Sequence, residues 1–403
     1  MSLTKGWSYK CLEEITQKNR PISYGVVQTG EPLDEGVPCV RVVDLVSGKL
    51  SPQNLIKTTS EISKSYKRTI LQANDLMFAL RGDIGCVKKV NEELIGANLT
   101  RGVALIAPNS EVDSSYLYWQ IQSPSFRREM MTLVNGSALQ EIPIKSLRKV
   151  QVPVAPKDEQ KKIAEILSTW DKAIESADHL MRAASKQYKN LIQRLIIEMP
   201  TSGSVEVNDL ILSDVCRLAG GAGFPEIHQR KKDGTHLFVK VSDMNHLPNK
   251  REIIMATNTI DEGTAKELRA TFFPPGSTIF PKVGAALLTN KRRFLARPTA
   301  IDNNCMAAIP DTEKIVPWYL YHFLLTVDLA RFVQIGALPS VNQSTVGNIQ
   351  IVLPNLDYQR RAADGLLSAA RWIDELEKRK EFLIKQKQGL MQKLLTGKVR
   401  VKV

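Results

Sequence analysis

The sequence predicts a mixed α/β chain: two duplicated lobes separated by two long antiparallel coiled-coil helices, related by a pseudo-twofold internal repeat. Three observations carry that expectation. The passage "SALQEIPIKSLRKVQVPVA" closing the first half returns 199 residues later as "GALPSVNQSTVGNIQIVLP". Each copy is followed by a long charged stretch whose apolar residues recur at alternating spacings of four and three. Each is preceded by a lobe of short β-type runs punctuated by Gly and Pro. A repeat held in one register over such a length marks a duplicated unit, and it takes precedence over any other fold reading.

The repeat aligns without a gap through the closing passage. It pairs Ala138 with Ala337, Leu139 with Leu338, Gln151 with Gln350, Asp158 with Asp357 and Gln160 with Gln359. Four divisions follow: lobe 1–156, helix 157–199, lobe 200–355 and helix 356–403. Within the lobes, "CVRVVDL" (39–45) matches "FVKVSDM" (238–244), "LMFALRG" (76–82) matches "TIFPKVG" (278–284), and "ALIAP" (104–108) matches "MAAIP" (306–310). The offset drifts by three between them, as expected of loops of different length on one scaffold, where recognition differences reside.

The first helix opens after Pro156 with Asp158 and Glu159, acids that suit the exposed amides of a first turn. Its stripe runs through Ile163, Leu167, Trp170, Ile174, Ala177, Met181, Ala184, Tyr188, Leu191 and Leu195, the heptad seam of a coiled coil. Met199-Pro200 ends it. The second stripe, after Pro354, is Leu366, Ala369, Ile373, Leu376, Lys380, Leu383, Lys387, Leu390 and Leu394, stopping near Gly397. Lys380 and Lys387 interrupt it, and polar seam residues of this kind set register at some cost in stability. The two helices are expected to pair with each other.

Composition narrows the function classes. The 403 residues are 43% hydrophobic, enough for two or three domains. No apolar run reaches membrane-span length, and "MSLTKGWSYKCLEE" lacks the apolar core of a signal peptide, so a cytoplasmic location is expected. The cysteines, Cys11, Cys39, Cys86, Cys216 and Cys305, are scattered, with no CxxC or Cys/His cluster for zinc. His228, His236 and His246 read as polar loop residues, and no metal site is expected. The formal charge of +13 is spread as +4 over 1–156, +1 over 157–198, +2 over 199–355 and +6 over 356–403. A polyanion footprint therefore rests on local clusters: Lys88-Lys89, Arg230-Lys231-Lys232 and Lys291-Arg292-Arg293. Solvated surface charge is the competing reading of each.

Catalytic signatures are missing: no GxxxxGK[ST] phosphate loop, no GxSxG elbow, no amino-methyltransferase motif. "LAGGAGFP" (218–225) is followed by Pro225 and a polar loop instead of a phosphate-binding helix. "PDTEK" (310–314) places its carboxylates side by side in what reads as a turn, whereas nuclease carboxylates converge from separate strands.

In "NGSALQEIPIKSLRKVQVPVAPKDEQKKIAEILSTWDKAI", "GALPSVNQSTVGNIQIVLPNLDYQ" and "GLMQKLLTGKVRV" the chain resembles, over its whole length, the specificity subunits of type I restriction-modification systems. The resemblance implies two target-recognition domains, each reading half of a bipartite double-stranded DNA site. It implies helices that space them and dock two modification subunits, with restriction subunits joining the complex. S-adenosylmethionine, ATP and Mg would then act in the partners, with no cofactor and no catalytic residue in this chain. Helices of about 57 Å, from roughly 38 residues at 1.5 Å each, exceed the roughly 34 Å of one DNA turn. Tyr358 standing opposite Glu159, and Ala369-Ala370 opposite Trp170-Asp171, leave open whether both helices dock partners equally.

Arginine grips guanine, Asn and Gln suit adenine, and Lys, Ser or Thr hold phosphates. The candidates are Arg81, Lys88, Lys89 and Arg101 in the first lobe. In the second they are Lys282, Lys291, Arg292, Arg293 and Arg297. They follow the matched "RG" and "VG" turns, where glycine permits close approach. The rival readings are a non-catalytic coiled-coil scaffold whose lobes bind protein, or another kind of two-lobed DNA-binding protein.

Overall fold

The computed structural model describes residues 6–48, 50–135, 140–229, 232–333 and 339–402. The repeat partners Ala138, Leu139, Ala337 and Leu338, and the basic residues Arg230 and Lys231, lie outside them. Contacts divide the chain into two compact units. One joins 1–178 to 378–403, and the other is 179–377. Each unit holds one lobe and part of each long helix.

In the first lobe a four-stranded sheet runs in the order Ser23–Tyr24, Val103–Ile106, Leu76–Ala79, Val87–Lys89. A three-stranded sheet is ordered Ile56–Thr58, Val37–Val40, Asn98–Leu99. The second lobe repeats both. Its four-stranded sheet is Cys216–Gly220, Cys305–Pro310, Thr278–Pro281, Arg293–Phe294, and its three-stranded sheet Asn258–Ile260, His236–Val239, Thr299–Ile301. Each three-stranded sheet has one antiparallel and one parallel pair. The strands the sequence matched are the central ones: Leu76–Ala79 and Thr278–Pro281 are buried at every residue, as expected of strands covered on both faces.

Equivalent polar groups anchor both lobes. The buried Asp44 accepts from the Arg41 amide (2.9 Å), and the buried Asp243 from the Lys240 amide (2.7 Å), each fixing the turn after an inner strand. Gln160 and Gln359 are buried clamps. Gln160 Oε1 accepts from the Asp113 amide (2.7 Å) while its Nε2 donates to the carbonyls of Glu111 (3.1 Å) and Ala155 (2.8 Å). Gln359 Oε1 accepts from the Val316 amide (2.8 Å), and its Nε2 donates to the carbonyls of Lys314 (3.1 Å) and Pro354 (2.8 Å). The identity at these positions thus has a cause: each side chain ties the first turn of a long helix to its lobe.

The long helices are Lys157–Ile192, continuing as a π-type segment Gln193–Glu198, and Leu356–Leu394. Among the seam residues, Ile163, Leu167, Leu366, Leu376 and Leu394 are buried. Trp170, Ile174, Met181, Leu191, Leu195, Ile373, Leu383 and Leu390 are half-buried. Within the first unit the helices run antiparallel, since Lys380 pairs with Asp178 and Lys387 with Asp171. Both seam lysines therefore have a carboxylate on the facing helix. The Lys387 ammonium also lies 4.2 Å from the Trp119 ring centre, a cation–π contact. In the second unit the equivalent of Lys387 is Tyr188, whose hydroxyl meets His322 Nε2 at 3.0 Å.

Trp119 and His322 sit in helices Ser114–Ile121 and Pro317–Thr326, elements the β-type reading of the lobes did not include. They share "YLY", at 116–118 and 319–321, and their aromatic character masks the helical period. "LAGGAGFP" is the strand Cys216–Gly220 and its exit, where the amides of Gly221 and Ala222 bond Cys305 and Ile301. "PDTEK" is a strand end and turn, with the Lys314 amide donating to Asp311 O at 2.9 Å.

Candidate nucleic-acid interface

In the first lobe, Arg81 follows the strand Leu76–Ala79, and Arg101 precedes Val103–Ile106, which pairs with it antiparallel. Both arginines therefore fall at one end of the sheet. They line a cleft of about 840 Å³ together with Arg41, Val27 and Val43. The Arg41 guanidinium is held by Asp44 at 2.9 Å. Gly82 has φ +71°, the left-handed conformation glycine adopts without steric cost, as does Gly284 at φ +75°. Lys88 and Lys89 stand elsewhere. They pair with Met77 and Leu76 at the other end of the strand, and Lys89 Nζ donates to Ser115 Oγ at 2.7 Å.

A second concavity of about 580 Å³ lies between Ser23–Tyr24 and the helix Ile144–Lys149, lined by Tyr24, Tyr66, Lys67, Arg68, Lys145 and Arg148. Arg148 is committed to the Ile22 carbonyl (2.6 Å). In the second lobe a groove of about 570 Å³ lies beside the matching helix Gln343–Gly347, and there Arg217 and Lys314 are balanced by Asp214 and Asp311. Only the first of the two grooves is suited to phosphate by net charge.

The basic residues proposed in the second lobe are not brought together. Lys282 directly follows Thr278–Pro281, with its ammonium over Gly220. Arg293 pairs with Ile279, and the antiparallel register carries Arg292 and Lys291 back along that strand toward Phe280 and Pro281, but their side chains turn to other partners. Lys291 contacts Asn245. Arg293 donates to the carbonyls of Arg292 (2.7 Å) and Met244 (2.6 Å). Arg297 is exposed and donates to Ile254 O at 3.1 Å.

The reading of Arg292 is corrected. It is 1% exposed, with its guanidinium donating to the carbonyls of Leu324 (3.1 Å), Val327 (3.1 Å) and Lys291 (2.9 Å) and to Asn290 Oδ1 (2.6 Å). It closes the C-terminal end of the helix Pro317–Thr326, where unsatisfied carbonyls and the helix dipole favour a cation. Burial pushes its pKa down to about 10, which leaves it charged at neutral pH. A run of three basic residues gives no sign of which one turns inward.

The residues the sequence reading missed are Arg41, Lys67, Arg68 and Lys145, which line the first lobe's concavities, and Asn303 and Asn304, exposed in the second. Arg41 lay inside the quoted "CVRVVDL". Asn303-Asn304 precede "CMAAIP" as Arg101-Gly102 precede "VALIAP", so matching the lobes finds them.

Two lobes of one topology, each tied by a glutamine to a long helix and differing in their exposed turns, define a duplicated recognition scaffold. The chain belongs to the family of the type I restriction modification DNA specificity domain, whose model matches residues 4–180 and again 205–386. It is 28% identical over 195 residues to the type I restriction enzyme EcoBI specificity subunit of Escherichia coli, a match covering 48% of this chain and 41% of that one. It is 22% identical over 357 residues to the MjaVIII specificity subunit of Methanocaldococcus jannaschii, covering 83% and 81%. In fold it is similar to the type I restriction-modification S subunit from M. genitalium (TM-score 0.58, 15% identity, 98% of both chains). It is also similar to a chain from a structure of type I restriction-modification complex assembly and conformational transition (TM-score 0.64, 14% identity, 99% and 100%). No helix among the described residues is long and apolar enough to cross a membrane.

Proposed function

We propose that this chain is the DNA sequence-specificity subunit of a type I restriction-modification complex, acting in the cytoplasm. Each lobe reads one half of a bipartite site, and the long helices set the spacing and dock two modification subunits. One observation carries this reading: a single DNA-specificity family model matches the chain twice, once on each lobe, and the lobes share a topology while their exposed turns diverge. A protein-binding scaffold has no reason to match such a model in both halves. Methyl transfer from S-adenosylmethionine belongs to the modification subunits, and ATP- and Mg-dependent cleavage to the restriction subunits.

The test is to express the chain with the modification subunits of its own system and sequence the host methylome. A two-part motif with an unread spacer is expected, together with salt-sensitive DNA retention by the assembled complex. Methyl transfer to DNA by the purified chain alone would overturn the assignment, as would a methylome unchanged by expression of the intact set.

A further inference from the structure

The two lobes carry the same four-residue turn with different chemistry. In the first, the Val103 amide donates to Thr100 O (2.9 Å); in the second, the Cys305 amide donates to Asp302 O (3.0 Å). Strand register makes these turns equivalent. Val103 pairs with Ala79 and Cys305 with Pro281, while Leu80 N donates to Gly102 O and Lys282 N to Asn304 O, both at 2.9 Å. Thr100 bridges Val26 as Asp302 bridges Ala222. Arg101 and Asn303 therefore occupy the same second position, and both are exposed.

The third position differs for a steric reason. A Cβ on Gly102 would stand 2.7 Å from Arg81 Nε, so glycine there leaves room for the Arg81 side chain to lie across the turn. The equivalent of Arg81 is Val283, since Arg81 bridges Glu141 as Val283 bridges Ser340. Valine is too short to cross, and the second turn carries the exposed Asn304 where the first has glycine. One turn thus presents two guanidinium groups, and the other the Asn303 carboxamide beside that of Asn304, whose Nδ2 donates to Asp302 Oδ2 (3.2 Å).

Resting on the DNA-specificity reading, we infer that these turns are base-reading positions: Arg101, backed by Arg81, takes a guanine edge in one half-site, and Asn303 an adenine edge in the other. Either group can also hold a phosphate, but a guanidinium and a carboxamide differ in the base edge they fit. Here the charge is exchanged for a neutral amide at fixed backbone geometry, which is how a shared scaffold changes the base it selects. Arginine meets guanine O6 and N7 with two donors, and asparagine meets adenine N6 and N7 with a donor and an acceptor.

The experiment uses the assembled modification complex carrying Arg101→Ala, Arg101→Lys or Asn303→Ala, with methylome sequencing and binding to oligonucleotides altered one base at a time. Arg101→Ala should relax one position of one half-site, losing about tenfold or more in discrimination, with the other half unchanged. Arg101→Lys keeps the charge but not the fork, so it should relax the same position with an unaltered salt slope. Asn303→Ala should relax one position in the opposite half-site. Unchanged discrimination in these variants overturns the inference. So does uniform weakening across sequences with a salt slope smaller by about one, the mark of a phosphate contact. Wild-type complex that yields no two-part motif strikes instead at the function on which the inference rests.

Discussion

Replacing Arg292 with alanine should unfold part of the second lobe while leaving its choice of bases intact. The guanidinium satisfies the carbonyls of Leu324 and Val327 where the helix Pro317–Thr326 ends, and it stands 5.2 Å from the Phe280 ring centre. Truncation leaves those carbonyls buried without this partner, at about 1–3 kcal/mol each, and opens a cavity under Phe280. Partial relaxation and water entry reduce the sum, so a loss of about 3–5 kcal/mol is expected. Arg292→Lys retains the charge but cannot reach the acceptors together, and it should fall between wild type and alanine. Urea denaturation combined with hydrogen exchange locates the effect. Protection should fall in the segment 317–327 and remain unchanged in 114–121, the matching helix of the first lobe. If Arg292→Ala kept wild-type stability and protection but bound DNA less tightly with a lower salt slope, the structural role argued for it would be refuted.

The glutamine clamps give a paired prediction. Gln160→Ala and Gln359→Ala each remove three hydrogen bonds to backbone groups and should each cost about 2–4 kcal/mol, read by denaturation, with hydrogen exchange placing the damage in a different unit for each. A neutral effect at either site would break their equivalence. His322 supplies a pH dependence: burial lowers its pKa from 6.5 to about 4, with the Trp318 carbonyl, the Tyr188 hydroxyl and Arg251 around it. Because the folded value is the lower one, its contribution is fully present above pH 6.5 and is lost as pH falls toward 4. Stability should drop by about 3 kcal/mol over that interval, and His322→Gln should flatten that part of the profile. Inserting four residues near Ala177, a stutter a coiled coil absorbs by local unwinding, adds about 6 Å of helix. With the turns untouched, the methylome of an active variant should keep both half-sites and widen the spacer by about one or two base pairs. An unchanged spacer would leave the helices as docking surfaces only.

The long helices and the repeat were legible in the sequence because both are written in local spacing. A seam such as Ile163 to Leu195 depends only on which residues recur every three or four positions. The offset of 199 survives wherever packing fixes a residue in both copies, as at Gln160 and Gln359. The short helices holding "YLY" were hidden because aromatic residues serve strand and buried helix alike, and their burial on several sides erases the helical period.

The sequence by itself determined the duplication, the α/β composition of the lobes, and the seam with its two lysines. Tertiary structure alone decided which charges face outward and what meets what. It gave Lys380 and Lys387 carboxylate partners, turned Arg292 inward onto a helix end, and placed Lys88 and Lys89 at the opposite end of a strand from Arg81. It also set Asn303 on the turn that Arg101 occupies in the other lobe. The physical reason is that a basic side chain can serve as a phosphate grip, a helix cap or solvated charge with the same local sequence. Its role is fixed by the acceptors that distant strands and helices bring within about 3 Å of it.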